Sequence, residues 1–322
     1  MIRTLGRRPL FGSLAAAATA SALPASYALA RPPGGLASVP AIAQMKIGRV
    51  TVSFLSDGVF DAPSAWFTGA PEAEIEQRLR ARLGNDGKSL RVNITTWLID
   101  DGERLVLVDA GVPKGAMPGT GRLPAALKAL GVAPEQIDVI ALSHLHFDHV
   151  GGLLADGKPA LPGPEVLVPR ADAAFFTDPA ALNAAPDFLK DNFALVGAVL
   201  GTVPRIQRID LDRQITPFVS TFDLRGHTPG HTGFRISDGG QTLLLVVDTL
   251  FDPAFHPSNP DIRIVFETDA EAAKAMRTRL FARAVEERAL VAATHMPFPG
   301  LGRIERDGAS LRWIAADFPA LG

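Results

Sequence analysis

The chain has 322 residues, 47% hydrophobic and 20% charged, with a formal net charge of −2. That composition suits a globular protein with a sizeable core and argues against a disordered or polyanion-binding chain. There is no cysteine, which excludes disulfides, thiolate metal ligands and a cysteine nucleophile, so any metal site must use nitrogen and oxygen.

The first thirty residues carry Arg7-Arg8, an Ala-rich apolar stretch broken by Pro24, and a small-x-small end at Ala28-Leu29-Ala30. This reads as an export signal of twin-arginine type, cleaved near Ala30, rather than a stable membrane anchor. The expected product is periplasmic or secreted, with residues 31–45 as a loose leader and 46–322 as one domain. Three of the 32 basic residues and none of the 34 acidic ones lie in the signal. The remaining chain is more acidic, and no nucleic-acid partner is expected.

Beyond the leader, Arg49–Leu55, Val92–Ile99 and Arg104–Asp109 read as strands, rich in aliphatic residues and bounded by turns such as Asp101-Gly102. Leu123–Leu130 reads as a helix closed by Gly131. Asp138–Leu142 is nearly all apolar, as expected of a strand buried on both faces. Helical patterns follow at Ala171–Thr177 and Pro186–Leu200. Strand patterns occupy Arg205–Ile209, Phe218–Leu224, Gly233–Ser237 and Leu243–Val247. Ala270–Arg288 is the longest helical segment, with Leu290–Thr294 as a buried strand after it and one more element in "LRWIAADF". Helices and strands interleave without a linker, so the reading is a single α/β domain.

Chemistry concentrates where the Asp138–Leu142 strand ends. The run "SHLHFDHVGG" places His144, His146, Asp148 and His149 within six positions. In extended backbone His144 and His146 point the same way and can share one ion. Asp148 and His149 follow as the chain turns, and can hold a second. Further candidates sit at strand ends or turns elsewhere: His227 and His231 in "RGHTPGHTGF", Asp248 in "LLLVVDTLFD" and His295 in "LVAATHMPFPG". His256 fits no pattern and is expected on the surface.

The ordered set His144-x-His146-x-Asp148-His149, then His231, Asp248 and His295, resembles the metallo-β-lactamase superfamily over almost the whole mature chain. The resemblance implies a four-layer αββα sandwich with two divalent ions per chain: zinc first, with cobalt, manganese or iron as alternatives. It assigns His144, His146 and His231 to one ion, and Asp148, His149 and His295 to the other. Asp248 would bridge both, opposite a hydroxide, with Asp148 and Asp248 as the catalytic carboxylates. His227, Asp109 and Asp57 become supports for the ligands. The pieces "LSDG", "GHTPGHT" and "HMPFPGLG" further resemble the methyl parathion hydrolase-like group, which implies hydrolysis of small apolar aryl esters, lactones or organophosphate triesters by a homodimer. Met117, Phe147, Phe176, Phe193 and Phe298 are the expected pocket residues. The mature chain has no tyrosine, since Tyr27 lies in the signal. That weighs against acyl-homoserine lactones as the main substrate, although a quorum-quenching lactonase stands as an alternative. A single-iron sulfur dioxygenase of the same fold is another.

Overall fold

The structure is a computed structural model that describes residues 39–317. The signal and most of the leader lie outside the described residues. Residues 39–317 belong to one compact unit.

In chain order the first half contains β1 (Ile42–Ile47), β2 (Val50–Pro63), the short β3 (Phe67–Thr68), α1 (Glu72–Leu83), β4 (Ser89–Asp100), β5 (Leu105–Val108), α2 (Leu123–Ala129) and β6 (Val139–Ala141). It continues through α3 (Phe147–Val150), the tiny hairpin β7 (Leu154–Ala155) and β8 (Lys158–Pro159), β9 (Glu165–Pro169), α4 (Arg170–Phe175), α5 (Pro179–Ala184), α6 (Asp187–Thr202) and β10 (Ile206–Ile209). The second half contains β11 (Gln214–Thr216), β12 (Val219–Asp223), β13 (Thr232–Asp238), β14 (Gln241–Val247), β15 (Arg263–Ile264), α7 (Ala270–Glu286), β16 (Leu290–Ala293), β17 (Leu301–Asp307) and β18 (Ser310–Ala315).

Two seven-stranded sheets result, ordered β1-β2-β4-β5-β6-β9-β10 and β11-β12-β13-β14-β16-β17-β18. They stack face to face, and the apolar runs show why. In β14, Leu243 and Leu245 enter the core between the sheets, where they meet Phe54, Trp97 and Val108. Their neighbours Leu244 and Val246 face the other way, onto Met276, Leu280 and Phe281 of α7. A strand covered on both faces needs apolar residues at every position. The same division holds in β6: Val139 and Ala141 face the second sheet, while Ile140 packs under α2 and α6. Helices therefore cover both outer faces, and the expected four-layer αββα architecture is present.

Three boundaries differ from expectation. β1 begins at Ile42, so the last four residues of the expected leader are paired with β2. The Asp57-Gly58 pair lies beyond the expected end of the strand at Leu55 but forms a bulge that shifts the β2–β4 register inside one 14-residue strand. A bulge and a turn share the same small-residue signal. The helix α1 was not anticipated because only Ile75, Glu76 and Leu79 of it are buried, too few to mark an apolar stripe.

Candidate metal centre

β6 ends at Ala141, and the chain bends at Ser143, whose carbonyl accepts from Thr232 N–H of the second sheet. His144 and His146 leave this stretch on one side. The chain then turns into the single-turn helix α3, with His149 N–H donating to His146 O. This places Asp148 and His149 beside the first pair.

His227 comes from the turn between β12 and β13, Asp248 directly follows β14, and His295 lies two residues past β16. The structure gathers two donor groups: His144, His146, His227 and Asp248 in one, Asp148, His149 and His295 in the other, with donor atoms within 4.8 Å of one another in each. Asp248 stands between them. Its Oδ2 lies 3.6 Å from His144 Nε2, 3.2 Å from His227 Nε2 and 3.0 Å from His295 Nε2, and its Oδ1 lies 3.3 Å from His149 Nε2.

The donors fit metal ions better than one another. His146 Nδ1 lies 3.1 Å from His144 Nε2 and 3.0 Å from His227 Nε2. In a tetrahedral zinc site with bonds of roughly 2.0–2.1 Å, ligand nitrogens sit about 3.3 Å apart. His149 Nε2 is buried and has no hydrogen-bond partner. A single N–H can bridge only one such pair well, whereas a cation among the converging nitrogens would use every lone pair. Burial, together with the neighbouring His149 ring, holds His144 well below the usual imidazole range. Burial does the same to His146, aided by His227. Both are therefore neutral and able to donate lone pairs.

The outer nitrogens fix the ring orientations. His149 Nδ1–H donates to Asp109 Oδ2 at 2.9 Å. Ser143 donates its N–H to Asp109 Oδ1 at 2.7 Å and its hydroxyl to Oδ2 at 2.8 Å. With that hydroxyl proton committed, Ser143 Oγ accepts from His144 Nδ1–H at 3.0 Å. One carboxylate thus orients a histidine from each group, directly in one case and through Ser143 in the other. His295 Nδ1–H donates to Asn93 O at 2.8 Å. Burial opposes charge on His149, but the carboxylates of Asp248, Asp148 and Asp109 outweigh it and hold the ring above its ordinary value. Burial likewise opposes charge on Asp248, and the imidazoles of His295, His149 and His144 override it to hold the carboxyl well below its usual range.

Residues 90–295 match the profile of the metallo-beta-lactamase superfamily. The chain belongs to that superfamily. An N-acyl homoserine lactonase of Bacillus cereus is 25% identical over 229 residues, covering 65% of this chain and 83% of the relative. A lactonase of the same description from a Bacillus species is 26% identical over 185 residues, covering 51% and 67%. Among solved structures, the hydrolase AbOPH superposes with a TM-score of 0.81 at 28% identity, over 88% of this chain and 100% of that one. AidC, a dizinc quorum-quenching lactonase with a bound product, shares the fold at a TM-score of 0.80 and 24% identity, over 88% and 100%.

The first group holds one donor beyond the expected set. His227, expected only as a support, brings its Nε2 into that group, and His231 stands beside it, its Nε2 buried without a hydrogen-bond partner. In "HTPGH" the two rings are four residues apart across a turn, and spacing alone does not say which one faces inward. At the entry to β13, His231 Nδ1–H donates to Leu224 O at 3.1 Å, which leaves its buried Nε2 as the free lone pair, the arrangement expected of a metal-ligating imidazole. It packs at 5.0 Å from the His144 ring, and burial with the adjacent His227 pushes it down to about 3, so it is neutral. His256 is fully buried, not on the surface, with Nε2–H donating to Ile262 O at 2.8 Å. Asp57 is buried too, but it accepts from Val112, Gly121 and Leu123 N–H. It therefore secures the 112–123 loop and makes no hydrogen bond to a histidine.

A cavity of about 360 Å³ opens over the donors. Of the five expected pocket residues, only Phe147 lines it. Phe176 and Phe193 belong to the core under α6, Phe298 packs on the core between the sheets, and Met117 lies in the 113–120 turn, its carbonyl accepting from Thr120. The wall comes instead from Phe60, Trp66, Phe188, Phe251 and Phe266. These residues come from β2 and the turn after it, from α6 and from the 249–269 segment, and no local pattern links such distant stretches.

Asp172 is the other residue that carried no signal. Its carboxylate accepts from Leu145 N–H at 3.0 Å, Thr228 O–H at 2.9 Å and Gly230 N–H at 2.5 Å. It joins the backbone between His144 and His146 to the turn that presents His227.

Proposed function

We propose that this metal-dependent hydrolase opens lactone esters, with N-acyl homoserine lactones as the first class to test and zinc as the first metal. The observation that carries the reading is Asp248, seated between two complete donor groups at the floor of an aromatic cavity. His144, His146 and His231 would hold one ion, and Asp148, His149 and His295 the other, with Asp248 shared and His227 Nε2 beside it at 3.2 Å. Two ions bound there supply a water acidified toward neutrality and a Lewis acid for the ester carbonyl.

The chain's own contributions are position and exclusion. Asp109, Ser143, Asn93 and Asp172 hold the ligand-bearing backbone and rings. The aromatic wall keeps bulk water from the ester and takes the apolar part of the substrate. The lining residues include no Ser, Thr, Tyr, Lys or Arg. Asp148, which lines the cavity 3.6 Å from His295 Nε2 and 3.7 Å from His149 Nε2, would therefore take the proton that the attacking water loses as it adds to the ester and return it to the alkoxide freed on ring opening.

The missing tyrosine pointed toward aryl esters, and Phe251, three residues after Asp248, presents no hydroxyl to the cavity. The lactonase relatives shift the balance to lactones. The methyl parathion hydrolase-like reading is retained as the second one, because the same apolar wall suits the aryl group of a phosphotriester. Two filled donor groups favour these readings over a single-iron dioxygenase.

The test uses protein with its metal content measured. N-hexanoyl homoserine lactone, 4-nitrophenyl acetate and a dialkyl aryl phosphotriester are offered in parallel, with acid release followed at constant pH. Lactone opening that stops on chelation and returns with zinc supports the reading. Protein that holds two ions and leaves the lactone intact overturns it, and turnover of the triester alone would put the second reading in its place.

A further inference from the structure

Residues 249–269 connect the ligand Asp248 to α7 and supply Phe251, Ile264 and Phe266 to the cavity. Phe266 is the meeting point of the wall. Its ring stands edge-on to Trp66 at 5.2 Å and to Phe188 at 5.2 Å, and it reaches His146 at 6.2 Å. The next residue, Glu267, turns its side chain inward, where it pairs with Arg277 of α7, both side chains at most 2% exposed. Arg277 Nε–H also donates to Pro260 O at 3.2 Å. One guanidinium therefore grips both ends of the stretch 260–267.

Stability alone is a poor reason to keep this pair. Removing two charges from water is costly, and apolar residues of similar volume often replace a buried ion pair without loss. Here Arg277 Nη2 and Glu267 Oε2 each remain without a protein partner, which makes the burial costlier still. What the pair does hold is geometry. Between its two anchor points lie Arg263 and Ile264, paired with Thr68 and Phe67, and Val265 N–H, which donates to Trp66 O at 2.9 Å. Directly after it, Thr268 N–H donates to His227 O at 2.9 Å.

We propose that the buried Arg277–Glu267 pair is a positioning latch: it sets the depth of the substrate cavity by fixing Phe266 against Trp66, without touching substrate or metal. The proposal rests on the reading above that this cavity receives the apolar arm of the substrate. The pair thereby determines which arm lengths fit.

The experiment compares the full chain with Arg277→Met/Glu267→Met, which removes both charges and keeps bulk, and with Arg277→Lys, which keeps the charge and loses the two-ended grip. N-acyl homoserine lactones with acyl arms of increasing length are assayed at defined metal content. The latch predicts two ions retained and kcat for the shortest arm within about twofold. It also predicts KM for the longest arms changing by about tenfold, with Arg277→Lys intermediate. A uniform change in kcat and KM across all lengths, or no change at all, overturns it. The near-ultraviolet circular dichroism assigned to Trp66 by difference from Trp66→Phe gives a second readout. It should weaken in the charge-free variant, and an unaltered signal overturns the latch even if the wild type opens no lactone. In that last case the function reading fails by itself, and the Trp66 signal still decides the latch.

Discussion

Asp172 accepts three hydrogen bonds and returns none, so its role needs the ionised form. Burial raises its pKa from 3.8 to about 6, against the lowering by Thr228 and Gly230. For a raised pKa the sign is fixed: stability is greatest below the unfolded value of 3.8 and falls as pH rises through about 6. Between those values the wild type should lose stability relative to Asp172→Asn, measured by denaturant unfolding of both proteins across that range. At neutral pH the variant's amide would face N–H donors with an N–H of its own, and its metal affinity should fall by about 10–100-fold, read by competition with a chelating dye. A second pair of variants checks the ligand set: His231→Ala should lose metal occupancy, and His227→Ala should retain two ions, by elemental analysis. The run from His144 to His149 was legible because four donors within six residues have few structural explanations. Asp248 and His295 were legible as polar residues ending apolar strands. That both rings of "HTPGH" reach the donors was not, because it depends on how the turn between β12 and β13 docks on the first sheet, where Thr232 N–H donates to Ser143 O. Asp172 sits in an ordinary helix start and offered no pattern.

At the level of elements, the site depends on how closely α7 approaches the His227 turn. Gly226 has φ of +138°, and a Cβ there would lie 2.3 Å from Ala273 N and 2.5 Å from Ala273 Cα, both backbone atoms in the first turn of α7. Gly226→Ala should therefore cost about 2–4 kcal/mol, seen in thermal unfolding, with loss of ions from the His227 group in the same sample. The α7 start is separately secured by Asp269, whose side chain accepts from Ala272 N–H at 2.9 Å. Asp269→Ala should cost about 1 kcal/mol and leave both ions bound, which separates helix stability from site integrity. The strands beside the site are strained: Asp109 and Val247 both have positive φ, 62° and 47°. A β-branched residue in that region is a true outlier, and this one immediately precedes Asp248. Strand and helix positions were readable from apolar runs and caps. The dihedrals that aim the ligands were not: Asp tolerates the left-handed region but enters it at few of its positions, and a β-branched residue such as Val247 announces no such turn.

Over the whole molecule, the donor residues divide between the two sheets. His144, His146, Asp148 and His149 follow β6 of the first sheet, while His231, Asp248 and His295 flank strands of the second. Bound ions would tie one sheet to the other, so their affinity adds to folding stability. At free metal about 1,000-fold above Kd each ion contributes about 4 kcal/mol, and chelation should lower Tm by about 10 °C or more, recovered on adding zinc. An unchanged Tm would mean that the donors do not bind metal in the folded chain. The sandwich itself was legible from alternating helical and buried-strand patterns; the aromatic cavity was not, because its wall is assembled from stretches about two hundred residues apart, from Phe60 to Phe266. The same split fixes a timetable. During synthesis the nascent first sheet emerges with four donors and none of the three that complete the two coordination spheres, so loading waits for the last β-strands. A fragment ending after β10 should take up zinc only weakly by titration; tight stoichiometric uptake would show that the early half is sufficient to capture its ions.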